Sequence, residues 1–176
     1  MKLYIVRHGQ TDWNAKGLMQ GNTDTTLNQI GRKQAERIRE ELKDIPIDIC
    51  ISSPLGRAYE TASIICNDRV PLLIDKRLEE RDLGEYEGKE PYDVRFYWDY
   101  TLNSSSKGVE SVQDLLQRVS SFYEELKSKY KDSNVLLVTH GAVVRALHFI
   151  ITGYNEDTNF MAFDVPNCKV FTYENV

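Results

Sequence analysis

Two short runs constrain this chain more than anything else in it. Lys2–Val6 (KLYIV) and Val135–Val138 (VLLV) place strand-favouring, mostly apolar side chains at consecutive rather than alternate positions. A strand of that kind is covered on both faces, which is the condition of a parallel sheet with helices above and below it. Each run stops at a histidine followed by glycine, His8-Gly9 and His140-Gly141, where a buried strand gives way to a turn.

Strands and helices alternate between these runs. Asn28 can cap a helix with apolar positions Ile30, Ala35, Ile38 and Leu42, closing before Pro46, although Gly31 is out of place inside it. Ile47–Ile51 reads as a second strand, followed by a helix capped by Ser53 with Pro54 at its first position. Leu72–Asp75 is a third strand, and Ser111 with Asp114 forms a capping box for a long helix running to about Lys131. After the strand at Val135–Val138 comes a helix over Ala142–Ile151. Two last strands, around Phe160–Phe163 and Lys169–Tyr173, are separated by a turn at Pro166 and Asn167. The pattern predicts an α/β fold with a mostly parallel central sheet and helices on both faces.

Length and composition exclude several classes of function. A chain of 176 residues, 41% hydrophobic and 28% charged, suits one packed domain spanning 1–176, with a short lid-like insertion at about 85–110. The net charge of -5 makes nucleic acid an unfavourable partner. No run approaches the roughly 18 apolar residues that cross a bilayer, so no membrane partner is expected and the expected location is the cytoplasm. Cys50, Cys66 and Cys168 are odd in number and lack metal-ligand spacing, which fits reduced, buried thiols.

In open α/β sheets ligands gather outside the carboxyl ends of the strands. Three of those ends carry unusual residues: Arg7-His8-Gly9, Ser53 leading within a few positions to Arg57, and Thr139-His140-Gly141. A parallel sheet brings them to one edge, so two histidines and two arginines share a pocket. Guanidinium forks, imidazole N–H groups and amides at a glycine turn all suit a phosphate dianion. A neutral imidazole in that cage is also a nucleophile toward phosphorus. An alkoxide leaving group needs a proton, and RLEERDLGEYEG after the third strand offers Glu79, Glu80, Asp82, Glu85 and Glu87 as the acid. Spacing alone does not choose among them. The aromatic stretch PYDVRFYWDY, Pro91–Tyr100, follows this loop and is placed either to pack on the core or to overhang the pocket. His148, in mid-helix among apolar neighbours, reads as structural or surface.

With these residues assembled, the sequence resembles the histidine phosphatase superfamily, in its phosphoglycerate-mutase-like branch. The resemblance is carried by RHGQTDWN (7–14), QGNTDTTLNQIGRKQA (20–35), SSPLGRAYETA (52–62), LEERDLGEYEG (78–88), GVESVQDLLQRV (108–119) and VTHGAVVRAL (138–147), in the family's order. It implies that His8 is the nucleophile carrying the phosphoryl group, with Arg7, Arg57 and His140 holding its oxygens. It further implies that Asn14 completes the phosphate pocket, that Gln20 and Gly21 line the substrate side, and that the Gly141 amide adds a donor. Glu80 is the acid/base by its place four residues before Gly84 in E-x-x-x-G-x-x-E-G. Thr26, Asn28 and Val109 depart from the family's usual residues, and none of them is expected in the pocket.

The resemblance implies no cofactor and no metal, and a small phosphorylated substrate. The expected oligomeric state is monomer or homodimer. Mutases of the family carry a larger insertion before the second histidine, whereas only Gly88–Gly108 intervenes here, so water is the expected acceptor and the expected activity is phosphatase. Short-insert members include broad-specificity phosphatases and α-ribazole phosphatases; a phosphoglycerate mutase is the alternative. A non-catalytic phosphate-binding module is disfavoured, because His8, Arg57, Glu80 and His140 are all present.

Overall fold

The structure is a computed structural model that describes residues 1–91, 98–99 and 108–176. Most of the Pro91–Tyr100 stretch and of the expected insertion therefore lies outside the described residues. Five strands, β1 (Lys2–Arg7), β2 (Ile49–Ser52), β3 (Leu72–Ile74), β4 (Asn134–Thr139) and β5 (Val170–Glu174), form one sheet in the order β3-β2-β4-β1-β5. Every pairing is parallel except that of β1 with β5.

The two founding runs occupy the sheet's middle, and their consecutive apolar residues divide between two cores. Leu3, Ile5, Val135 and Leu137 point to the side covered by α4 (Val112–Lys129) and α5 (Gly141–Thr152). Tyr4, Val6, Leu136 and Val138 point to the side covered by α2 (Gln29–Glu41) and α3 (Gly56–Cys66). Burial of a large aliphatic side chain stabilises by about 1.5–3 kcal/mol, so each strand position is used on one face or the other. The mostly parallel sheet with helices on both faces is present as expected.

Two local readings are corrected. Phe160–Ala162 is a single 3-10 turn capped by Asn159, not a strand. Short apolar runs do not declare their period, and here Phe160 alone is fully buried, against Trp98 and Phe149. Ser53 does not cap α3 either. That helix starts at Gly56 after Leu55 without a side-chain cap, and Ser53 lies just beyond the end of β2.

The glycine inside α2 has a packing reason. A β-carbon on Gly31 would collide with the Gln10 carbonyl oxygen, and one on Gly9 would stand 2.5 Å from the Gly31 oxygen. The turn after β1 is thus laid backbone to backbone on α2. That contact outweighs the roughly 1 kcal/mol by which glycine weakens a helix. Asn28 caps the same helix, accepting from the Gly31 amide at 2.9 Å. Among the described residues no helix is long and apolar enough to cross a membrane.

Candidate active site

The parallel register delivers three strand ends to one level. Arg7 lies opposite Thr139, and Ser52 opposite Val138. The ladder continues one step further, through His8 N to Thr139 O (2.9 Å) and Ser53 N to Val138 O (3.0 Å). His8, Ser53 and His140 thereby leave the sheet side by side, and the two imidazoles are 5.2 Å apart between centroids.

His8 is 1% exposed, and its hydrogen bonds fix its tautomer. Nδ1 lies 2.7 Å from the Gly9 carbonyl oxygen, which can only accept, so Nδ1 carries the proton. Nε2 therefore holds a lone pair, and Arg57 Nε donates to it at 3.3 Å. Burial first, and then the Arg57 and Arg7 guanidiniums, push the His8 pKa well below the ordinary 6.5. A buried imidazole that stays neutral, with its Nε2 lone pair turned to a single long hydrogen bond, is chemically able to act as a nucleophile.

Arg57 is itself fully buried. Nη1 and Nη2 donate to the carbonyls of Thr23 and Gly21, at 2.8 and 2.7 Å. Gly21 has a φ of +52°, and a β-carbon there would run into the Glu87 carboxylate. Glu87 binds the same loop from the other side, accepting from the amides of Asn22 (2.8 Å) and Thr23 (2.9 Å). It also accepts from Leu83 N at 3.2 Å, which locks the acid-bearing loop to the segment that orients Arg57. This clamp was not predicted; the only trace of it in the sequence is the second glutamate of the E-x-x-x-G-x-x-E-G pattern.

Arg7 donates from Nη1 to Val165 O at 2.6 Å, while its buried Nε has no partner among the described residues. Asn14 lies in α1 (Asp12–Ala15), the single turn after β1. Its Oδ1 accepts from Thr11 N at 3.1 Å, which leaves the Nδ2 donor for the pocket it lines. Gln20 is held through Oε1 by the hydroxyls of Thr11 (2.9 Å) and Thr25 (2.6 Å).

His140 is fully buried and stands behind the cavity wall rather than on it. Its Nε2 is 2.8 Å from Ser53 Oγ, and that oxygen already accepts from the Leu55 amide. The assignment that uses the remaining hydroxyl proton has Ser53 donating to Nε2. Nδ1–H is then a buried donor without a partner among the described residues. Leaving such a donor unmet costs about 1–3 kcal/mol, a debt that an oxyanion would remove.

Glu80 is brought to the start of α5. Its Oε1 accepts from Arg81 N and Ala142 N, both at 3.0 Å. The backbone on either side of it is tied down by Thr139 Oγ1 to Leu78 O (2.7 Å) and Arg118 Nη2 to Glu80 O (3.2 Å). Arg118 in turn grips Glu110 with Nε (2.6 Å) and Nη2 (2.9 Å). Among the five candidate acids only Glu80 lines the cavity with His8. Glu79 and Asp82 face a different depression, beside Lys76 and Arg118.

The cavity has a volume of about 460 Å³, and every predicted site residue except His140 lines it. It also admits Arg81 and Arg145, which were not predicted, and Trp98, from the stretch expected either to pack on the core or to overhang the pocket. Trp98 stacks on Phe160 at 5.3 Å and lies 5.7 Å from the Arg81 guanidinium carbon. His148 is outside the site, stacked on Phe163 at 3.7 Å with Nδ1 2.8 Å from the Tyr173 hydroxyl.

A model of the histidine phosphatase superfamily (branch 1) matches residues 3–174, nearly the whole chain. The protein belongs to that superfamily. Phosphoserine phosphatase 1 of Hydrogenobacter thermophilus is 31% identical over 178 residues, covering 96% of this chain and 84% of its own length. A 2,3-bisphosphoglycerate-dependent phosphoglycerate mutase of Cytophaga hutchinsonii is 35% identical over 158 residues, with 82% and 74% covered. Among solved structures, the mycobacterial glucosyl-3-phosphoglycerate phosphatase Rv2419c in complex with VO3 superposes with a TM-score of 0.86. The two are 30% identical, with 97% of this chain and 91% of that one covered. Both phosphatases and mutases thus stand among the relatives of this histidine phosphatase family member.

The two buried imidazoles have a consequence for stability. His8 and His140 are both held well below pKa 6.5, first by burial and then by neighbouring cationic groups. Below pH 6.5 the unfolded chain takes up protons at these positions that the folded chain refuses, so stability falls as pH drops toward the folded values. Each histidine can contribute a slope of at most about 1.4 kcal/mol per pH unit. Denaturant unfolding between pH 7 and 5.5 is expected to show this loss, and His8→Asn/His140→Asn to flatten it. An unchanged slope in the double variant would mean that other groups carry the acid sensitivity.

Proposed function

We propose that this protein is a phosphomonoester hydrolase acting on a small phosphorylated metabolite through a phosphohistidine at His8. The observation that carries the reading is the orientation of His8. Its proton faces the Gly9 carbonyl, and its lone pair faces the donors that would flank a bound phosphate. In the first step the substrate phosphate lies against Arg7, Arg57 and the Asn14 amide, with His140 behind it and the Gly141 turn beside it. Gln20 and Gly21 line the substrate side.

His8 Nε2 attacks phosphorus as the P–O ester bond breaks, and the protonated Glu80 carboxyl gives its proton to the departing oxygen. In the second step a water attacks the phosphorus of the N–P bond. Glu80, now a carboxylate, takes the water's proton, and His8 leaves with its lone pair restored. The guanidiniums neutralise the charge that builds on the equatorial oxygens, and the neutral His140 ring adds an N–H donor to them.

The test is a rapid-quench time course with a 32P-labelled aryl phosphate in the absence of metal, following free phosphate and acid-labile protein-bound label together. The expected result is label on His8 that turns over to free phosphate. Label that persists until a phosphoglycerate is added would replace the hydrolase by a mutase. No label and no phosphate from any monoester tried would leave a phosphate-binding module instead.

A further inference from the structure

Pro166 and Asn167 read in the sequence as a turn, and the phosphoryl-transfer scheme above uses neither. Asn167 reaches further than a turn requires. Residues 165–168 are fastened to the end of β1 at three points: Arg7 Nη1 donates to Val165 O (2.6 Å), Cys168 N to Arg7 O (3.0 Å) and Asn167 Nδ2 to His8 O (2.8 Å). Arg37 Nη2 adds a fourth contact from α2, to Cys168 O at 3.3 Å. Within this grip Cys168 holds a φ of +48°, a conformation that residues with a β-carbon keep only where their surroundings fix it.

The side-chain amide of Asn167 can face only one way. A backbone carbonyl accepts and never donates, so the group 2.8 Å from His8 O is the NH2. That NH2 carries a second proton, and Asn14 Oδ1 lies 3.4 Å from the same nitrogen. Asn14 Oδ1 also accepts from the Thr11 amide at 3.1 Å. The Thr11 hydroxyl, 3.2 Å from Asn14 Oδ1, has a single proton and a nearer acceptor in Gln20 Oε1 at 2.9 Å. One local donor and one from the strap before β5 thus occupy the Asn14 oxygen, and its NH2 is left for the cavity that Asn14 lines.

An Asn14 side chain turned over would offer a phosphate oxygen a carbonyl in place of a donor, exchanging attraction for repulsion. Thr11 is the N-cap of the same helical turn and moves with Asn14. Asn167 comes from 153 positions away and fixes the amide relative to the backbone of His8. We infer that Asn167 is a positioning residue that acts through Asn14, keeping the Asn14 NH2 turned toward the transferred phosphate. This rests on the hydrolase reading above, in which the phosphate lies against Asn14.

The affinity for inorganic phosphate is measured by calorimetry in the unaltered protein, in Asn14→Ala, in Asn167→Ala and in the double variant, each accompanied by a thermal melt. Asn167→Ala is expected to weaken phosphate binding about tenfold, the typical effect of losing one hydrogen bond to a charged group. Asn14→Ala should weaken it at least as much. In the Asn14→Ala protein, adding Asn167→Ala should then cost less than about twofold. A strap that only stiffens the fold would not give this result, because its effect on affinity would persist without the Asn14 amide.

Unchanged affinity in Asn167→Ala overturns the inference. So does a double variant whose loss is the product of the two single losses, which would place the action of Asn167 on the His8 backbone alone. Should Asn167→Ala fail to melt cooperatively, Asn167→Leu, similar in shape and without a donor, takes its place with the same expectations. Hydrogen exchange in the unaltered protein needs no variant: both Asn167 side-chain amide protons should exchange more slowly than those of exposed asparagines. Either of them exchanging at the exposed rate also overturns the inference. If p-nitrophenyl phosphate is hydrolysed and the two losses multiply, only this inference falls. If the unaltered protein neither binds phosphate nor hydrolyses a monoester, the hydrolase reading falls with it.

Discussion

Replacing His8 by alanine is expected to lower kcat/KM by about 10⁴-fold or more and to abolish acid-labile label on the protein. The magnitude is that of removing a nucleophile while leaving the charge-stabilising groups in place. What remains is a pocket whose guanidiniums still bind phosphate, so inorganic phosphate or vanadate should bind within about tenfold of its affinity for the unaltered protein. The substitution also strips Arg57 Nε of its acceptor, with a stability cost of about 1–3 kcal/mol. A thermal melt therefore accompanies the kinetics, to show that the lost activity is not lost fold. Retained label in His8→Ala would move the phosphoryl acceptor elsewhere, with His140 the first residue to examine.

The second large effect belongs to Glu80 and depends on the leaving group. Glu80→Gln keeps an oxygen for the amides of Arg81 and Ala142, so the local hydrogen bonds survive while the transferable proton does not. With an alkyl phosphate, whose alkoxide must be protonated as it departs, the loss should be about 10²–10⁴-fold. With p-nitrophenyl phosphate the departing phenolate needs little help, so phosphorylation of His8 should be nearly preserved. Water activation in the second step is still impaired. Quench-flow should then show a burst of p-nitrophenol and accumulated phosphoenzyme, the opposite of the His8→Ala result. An equal loss on both substrates, without a burst, would transfer the acid role to another group.

The parts of this site legible in the sequence are those set by strand periodicity. Consecutive apolar residues identified β1 and β4 as central strands, and a parallel sheet can only bring the residues beyond their ends, His8 and His140, to one edge. Arg57 followed from its place a few residues beyond β2.

The parts not legible are those whose partners come from distant loops. Nothing in the spacing of Glu87 says that its carboxylate will gather the amides of Asn22, Thr23 and Leu83. Arg145 lay inside a quoted motif and still went unread, because only the carbonyls of Phe163 and Val165 bring its guanidinium beside Arg7. Ser53 was read as a helix cap for a sound local reason. Its hydroxyl is used instead across the sheet edge by His140, 87 positions away. Phe160–Phe163 carried strand-like composition, but with one buried ring it lacked a second strand face to build on.

Among the described residues, the strand that leads to His8 finds its neighbours in β4 and β5, between residues 134 and 174. The strap before β5 then finishes the site, with Cys168 N on Arg7 O (3.0 Å) and Asn167 Nδ2 on His8 O (2.8 Å). Contacts over such separations close long loops, and closing them costs chain entropy. Burial of the His8 imidazole is consequently tied to the pairing of distant parts of the chain. A chain in which those pairings were lost would hold an ordinary, solvated histidine.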